Sequence, residues 1–402
     1  MASIAKSDAD AIALEYIAEK GYHVAEYEEN PGMSRAKKVK ITGKHYDFSL
    51  KYGHAANRSR TASTALAKAN KVQFQEFNVT TIGSFDAKDI DQKAIAEVQD
   101  EGAMVDLLTS TIDDVAKSLG NGLGEDLYLN TGGAIGQIGS IDSAIIKLKN
   151  PSHITRFYVG QVLRSSETDG TTGSLQTGTV TVASLDRDTG WITCSGAVTS
   201  GITDADADDY LFSDGDFGFG RAGLPAWIPD SVSSLSATFY GASRSLDATR
   251  MGGNRQEVST GQDIVSALRV LLARMGREEA KPNLALCSFE MLADLETQVE
   301  QRGYVELKGK GVDMGFDAIT VTAGGRKINF LPDRSCGDDR IYVGNDETLE
   351  LIHSQDDPVK IMDEDGEVLA RNSSAYSFDI RGSSYSNYIL RKPSDWGVLL
   401  FT

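Results

Sequence analysis

Only three cysteines, Cys194, Cys287 and Cys336, occur in 402 residues, and no two of them form a CxxC pair. That spacing excludes a disulfide framework and a cysteine-based zinc site, and leaves three small buried hydrophobes. The five histidines, His23, His45, His54, His153 and His353, show no HExxH or other ligand spacing. No apolar run approaches the roughly 20 residues a membrane helix needs. The N-terminus, Met1-Ala-Ser-Ile-Ala-Lys-Ser-Asp, has no apolar h-region, so a soluble protein made inside the cell is expected. Without secretion, Asn57-Arg-Ser and Asn78-Val-Thr carry no weight as glycosylation sequons. Proline is scarce too, eight against 40 glycines, which favours a turn-rich chain with substantial β structure.

Catalytic motifs are equally thin. Neither a Walker sequence nor a GxSxG elbow occurs. Gly218-Phe-Gly-Arg-Ala-Gly223 matches GxGxxG, but Pro225 and Pro229 follow it and make a poor start for a phosphate-binding helix. It reads as a glycine-rich junction between modules. Asp204, Asp206 and Asp208 begin like a calcium loop, yet its sixth position is Asp209 and its twelfth Gly215, so a solvated loop is expected. Adjacent acids such as Asp113 and Asp114 point to different faces of a helix. No enzyme, cofactor or metal is expected.

What the chain does have is a segregated charge. Residues 35 to 71 hold ten of the 40 Lys and Arg and only one of the 58 acids, Asp47. That segment is formally +9 and the remainder −27, for a net charge of −18. Net charge speaks of partners rather than fold. An acidic body repels DNA phosphates, so tight wrapping of nucleic acid around the whole protein is not expected. Tyr46, Phe48 and Tyr52 alternate through the basic segment, which a strand burying one face explains as well as base stacking does. No helix-turn-helix, zinc or RNA-recognition signature accompanies them. The preferred partner of the basic segment is an acidic surface on another copy of the chain; a merely solvated hairpin is the alternative.

Periodicity organises the rest. Residues 7 to 21 read as a short helix capped by Ser7, with a narrow face of Ile12, Tyr16 and Ile17 that must dock on the body or a neighbour. Lys38 to Thr42 and His45 to Tyr52 alternate like strands, and Val72-Gln-Phe-Gln resumes the pattern after a polar stretch. This is a long extended hairpin with too little apolar content to stand alone. Residues 89 to 119 form the clearest helix, about 45 Å long. Its stripe is Val98, Val105, Leu108, Ile112, Val115 and Leu119, and Gly120, Gly122 and Gly124 crowd its end. From 157 to 213 a small antiparallel β module is inserted, with a turn at Asp186 to Gly190 and no helix. Helices at 262–275 and from Ser288 to Glu300 alternate with strands at 283–287, 318–322, 327–330 and 340–343. Strands at 348–353, 359–362, 368–370, 375–380, 385–391 and 398–401 follow, with a turn at Asp365-Gly366.

This order of parts resembles the tailed-bacteriophage major capsid proteins with the Hong Kong phage fold. Gly223-Leu-Pro-Ala-Trp-Ile-Pro, Phe239-Tyr-Gly-Ala-Ser-Arg-Ser245 and Gly252-Gly253-Asn254 look like the entry to their A-domain. Tyr385-Ser-Asn-Tyr-Ile-Leu-Arg-Lys-Pro-Ser-Asp-Trp-Gly397 resembles their C-terminal ending. The resemblance implies an α+β chain with an N-arm (1–30), an extended E-loop (31–80) and a P-domain (81–156 and 347–380) with spine helix 89–119. It further implies the inserted β module (157–213) and an A-domain (214–346 and 381–402).

The function so implied is self-assembly, in hexamers and pentamers, into an icosahedral shell around double-stranded DNA, contacted without sequence preference. The location implied is the virion capsid, assembled in the host cytoplasm. A portal and a decoration protein are further partners the resemblance implies, and with Met1 so close to the arm any scaffold is expected to be a separate protein or absent. No membrane is involved. Arg35, Lys37, Lys38, Lys40, Lys44, Lys51, Arg58 and Arg60 are the candidate intersubunit residues. No motif selects a lysine for cross-linking to asparagine, and none is expected to react. Reversing Lys37, Lys38, Lys40 and Lys44 to Glu is expected to abolish shells without unfolding the subunit. The competing readings are a cellular encapsulating shell with protein cargo and a β-rich binding protein, with an enzyme third.

Overall fold

The structure is a computed structural model. It describes residues 13–14, 16–17, 30–53, 59–67, 73–91, 101–235, 238–259, 261–301, 319–323, 325–362, 367–372 and 377–401. Two mixed sheets, a two-stranded hairpin and a closed barrel make up its β structure.

The central sheet is built on one long strand, Ser377–Leu390. Antiparallel to it run Ile82–Asp91, Leu349–His353, Lys360–Ile361 and Leu369–Arg371. Sequence periodicity divided this strand in two, at 375–380 and 385–391, and the expected domain boundary at 380/381 falls within it. Its ten-residue register with Ile82–Asp91, from Ser377 opposite Asp91 to Ser386 opposite Ile82, runs without a shift across Gly382.

Helix Glu101–Asp126 packs on this sheet through Leu108, Ile112, Val115 and Leu119, all buried in one core cluster as their spacing requires. Its expected limits shift at both ends. Asp89 to Asp91 belong to the strand Ile82–Asp91, so the helix does not begin at Asp89. The far end runs through three glycines to Asp126, because Gly124 is a contact site rather than a stop. A β-carbon there would run into the side chain of Asn30, which donates to Asn121 Oδ1 at 3.1 Å. Val98 lies outside the described residues, as does the side chain of Val105. Of the expected N-terminal helix only Ala13, Leu14, Tyr16 and Ile17 are described; they are helical. Tyr16 docks on the long helix, its hydroxyl donating to Asp113 at 2.8 Å.

The second sheet joins Asn254–Val258, Gly397–Phe401, Arg340–Gly344, Leu284–Cys287, Arg326–Pro332 and Ile319–Ala323, in that order. Helix Ile264–Arg277 buries Leu268, Leu271, Leu272 and Met275 in its core. Asp263 caps that helix by accepting from Ser266 N at 2.8 Å. Ser288 caps Phe289–Gln301 by accepting from Met291 N at 3.2 Å, as its position in the sequence suggested.

The inserted module is a closed six-stranded barrel with its own core of Ile138, Ile146, Leu163, Ile192, Val198, Ile202 and Leu211. It begins at Gly136, not at 157. Its first hairpin, Gly136–Asp142 with Ile145–Leu148, carries a register shift between Ile138 and Ser140 that breaks the alternation a strand-by-strand reading needs. The module also contains one helical turn, Val198–Gly201, where none was expected. Closure leaves the barrel no free strand edge. Its acidic loop is tied by its own bonds: Asp209 accepts from Asp206 N at 2.9 Å and from Gln176 at 2.8 Å.

Candidate functional site

The basic segment separates into two structures. His45–Gly53 pairs antiparallel with Gln73–Thr80 as the expected hairpin, with Phe48 opposite Phe77 and Lys51 opposite Phe74. Its base is anchored by aromatics. Phe48 stacks on Phe77 with ring centroids 5.2 Å apart, and Trp227 lies 5.6 Å from Phe77. The indole of Trp227 donates to Tyr388 O at 3.1 Å, tying hairpin, loop and central sheet together. Alternation puts Asp47, Ser49 and Lys51 on the opposite, exposed face. Further out Phe74 is 57% exposed, a large apolar group beside Lys51.

Lys37–Lys40 is not part of the hairpin, contrary to the expectation that one tongue holds all the basic residues. It runs parallel to Leu349–His353 at the edge of the central sheet, Lys37 opposite Glu350 and Lys40 opposite His353. The next residue continues the tie, Ile41 N donating to His353 O at 2.8 Å. Period-two alternation is the same whichever strand is the partner, so the sequence does not reveal this. Lysines on an edge strand also keep other strands from adding to it. Lys40 already pairs with Asp356 at 2.5 Å, both side chains largely exposed, a contact that contributes little stability.

Arg35 ends the short helix Pro31–Arg35 and is exposed. Lys44, Lys51 and Arg60 are exposed and, among the described residues, form no ion pair. Lys38 is half-buried. Arg58 lies outside the described residues, as do Lys68 and Lys71.

The GxGxxG stretch is a junction, as expected, but its chemistry lies in a residue that sequence reasoning passed over. Arg221 is buried and reaches three elements at once. It donates to Asp126 at the end of the long helix, to Ser84 Oγ at 2.7 Å and to Ser386 Oγ at 3.1 Å. It also donates to the carbonyls of Ile82, Ser384 and Ser386 at 3.2–3.3 Å. A β-carbon on Gly223 would collide with the carbonyl oxygens of Asp126, Leu127 and Leu129, so only glycine lets the chain pass here. The signal available in the sequence was one arginine isolated in an otherwise uncharged Gly and apolar run.

A second polar cluster joins the start of the hairpin region to the body. Asp333 accepts from Gly32 N and from Tyr128 Oη, both at 3.0 Å. Beside it Glu125 lies 3.7 Å from Arg334. Burial pushes Glu125 up from 4.5 to about 7, with Asp126 and Asp333 adding to the rise and Arg156 and Arg334 opposing it. Its folded value lies above its unfolded one, so the folded state holds the proton through that window. Stability therefore falls as pH rises from about 4.5 to 7. Glu125→Gln should flatten this slope, leaving stability at pH 4.5 nearly unchanged and raising it at pH 8. Urea unfolding at both pH values measures it, and an unaltered slope would refute the assignment.

Two sheets on a common core, a long helix across one of them and a projecting amphipathic hairpin define an α+β protein. No family model and no curated protein matches the sequence. The cyanophage A-1(L) capsid asymmetric unit is similar over 92% of both chains, with 13% identity and a TM-score of 0.55. Microbacterium phage Oxtober96 matches with 12% identity and a TM-score of 0.46, over 92% of this chain and 90% of that one. The SrpI encapsulin of Synechococcus elongatus matches with 9% identity and a TM-score of 0.41, over 94% and 87%. The likeness to the cyanophage capsid shows the fold: this chain has the Hong Kong phage-type capsid fold.

Proposed function

We propose that the chain is the major structural subunit of a shell, acting by self-assembly rather than by turnover. The carrying observation is a capsid fold shared over 92% of both chains with a capsid asymmetric unit. A hairpin anchored at its base by Trp227, with Lys51 and Phe74 exposed on its outer half, fits a strap laid on an acidic neighbour. We assign the shell to a tailed bacteriophage, as hexamers and pentamers around double-stranded DNA. The acidic body then touches DNA weakly and without sequence preference.

Electron microscopy of the purified protein tests this, with closed icosahedral shells as the expected result. Nuclease-protected DNA inside virion-derived particles supports the phage assignment, whereas protein cargo would give the encapsulating compartment instead. Monomers that never close into shells would overturn both.

A further inference from the structure

Two consecutive helices share the core of the second sheet, and each carries charge of a single sign. Ile264–Arg277 contains Arg269, Arg274 and Arg277 and no acid. Phe289–Gln301 contains Glu290, Asp294, Glu296 and Glu300 and no base. The exposed side of the first presents Arg269, Ala273 and Arg277 in one row at every fourth residue, with Val270 beside it. On the second, Phe289 and Ala293 form one such row, and Glu290 and Asp294 the next. Val270 is 42% exposed and Phe289 52%, so both faces also offer apolar surface.

The two helices touch, Gln298 accepting from Ile264 N at 2.8 Å, yet their opposite charges do not meet. Among the described residues Arg269, Arg277, Glu290, Asp294 and Glu296 form no ion pair. Elsewhere in the chain such groups do pair, Arg250 with Glu278 at 2.8 Å and Arg340 with Asp230 at 3.1 Å. Glu278 and Glu279, which follow the first helix, both act on Arg250 rather than on its arginine row. Helix dipoles account for Arg274 and Arg277 in a last turn and Glu290 in a first turn. They do not account for Arg269, Asp294 or Glu296. The first helix packs mainly over Asn254–Val258 and Gly397–Phe401, the second over Arg326–Pro332, so the faces stand over different halves of the sheet.

We propose that these faces are the two halves of one head-to-tail contact, the arginine face of one copy docking on the acidic face of the next. The occupant is a second copy because one chain carries both complements, on different surfaces. A contact between different surfaces is heterologous, and it closes into a ring when the rotation between copies allows. The proposal rests on the shell reading for the ring and on the two helices for its chemistry. Val270 and Phe289 supply apolar area at the centre, where exposed ion pairs alone contribute little. Nucleic acid suits only the arginine face and leaves the acidic one without a partner.

Exchanging the charges in the full chain tests it, with sedimentation velocity reading association and the melting temperature reading folding. Arg269→Glu with Arg277→Glu should raise the concentration needed for association at least about tenfold, and so should Glu290→Arg with Asp294→Arg. Because Glu290 also faces its helix N-terminus, Asp294→Arg alone is a second variant, expected to act in the same direction. All four changes together restore attraction with the signs exchanged, so association should return to within about threefold of the wild type. A reversal that assembles like the wild type overturns this proposal alone. So does a folded combined variant that stays dissociated. Rings or smaller oligomers governed by these faces, without any shells, support the contact and count against the shell reading. A wild-type chain that is monomeric at every concentration overturns both.

Discussion

Arg221→Ala is expected to destabilise the subunit by about 3–5 kcal/mol, the cost of breaking a buried ion pair from one side. The loss has two parts. Asp126, whose carboxyl is raised from its ordinary value by burial and held down chiefly by Arg221, is left without its cation. The carbonyls of Ile82, Ser384 and Ser386 lose their donors in the middle of the central sheet. Arg221→Lys should rescue little, because one ammonium cannot reproduce a fork that reaches the helix end and both strands. Removing Asp126 as well, as Asp126→Asn in the Arg221→Ala background, should recover part of the loss. Urea unfolding measures all three, and a change below about 1 kcal/mol in the single variant would show that Arg221 is not the tie described.

Reversing Lys44, Lys51 and Arg60 to Glu is expected to abolish shells while leaving the subunit folded. All three are exposed and, among the described residues, unpaired, so their replacement removes no internal contact. Each exposed ion pair is worth only about 0.2–1 kcal/mol and is screened by salt. Reversal turns each attraction into a repulsion, and the effect multiplies over the copies in a shell. Sedimentation and microscopy read assembly, with the melting temperature as the control for folding. Normal particles would show that the hairpin is not a strap.

Lys37 and Lys40, grouped with these from the sequence, belong in a separate variant. They sit on a strand of the central sheet, and Lys40 already has Asp356. The four-lysine reversal expected from sequence would therefore mix a sheet-edge effect with an assembly effect.

Legibility followed the range of the interaction. The stripe of the long helix and the cap at Ser288 were readable, because each is set by residues within a turn or two. So was the barrel's hairpin around Asp186 to Gly190. The barrel's first hairpin was missed because a register shift between Ile138 and Ser140 breaks the strand rhythm. Arg221 was missed because a lone arginine among glycines and apolar residues resembles a surface residue. Only the fold shows that Arg221 is surrounded by carbonyls.

By itself the sequence determined the segregation of charge, +9 against −27, and the order of arm, hairpin, long helix and strands. Both are properties of the chain read in one direction. Tertiary structure decided which of those positive charges are available to a partner. Strand pairing and burial depend on residues hundreds of positions apart, as Lys37 opposite Glu350 shows. Local alternation is identical whichever distant strand supplies the hydrogen bonds.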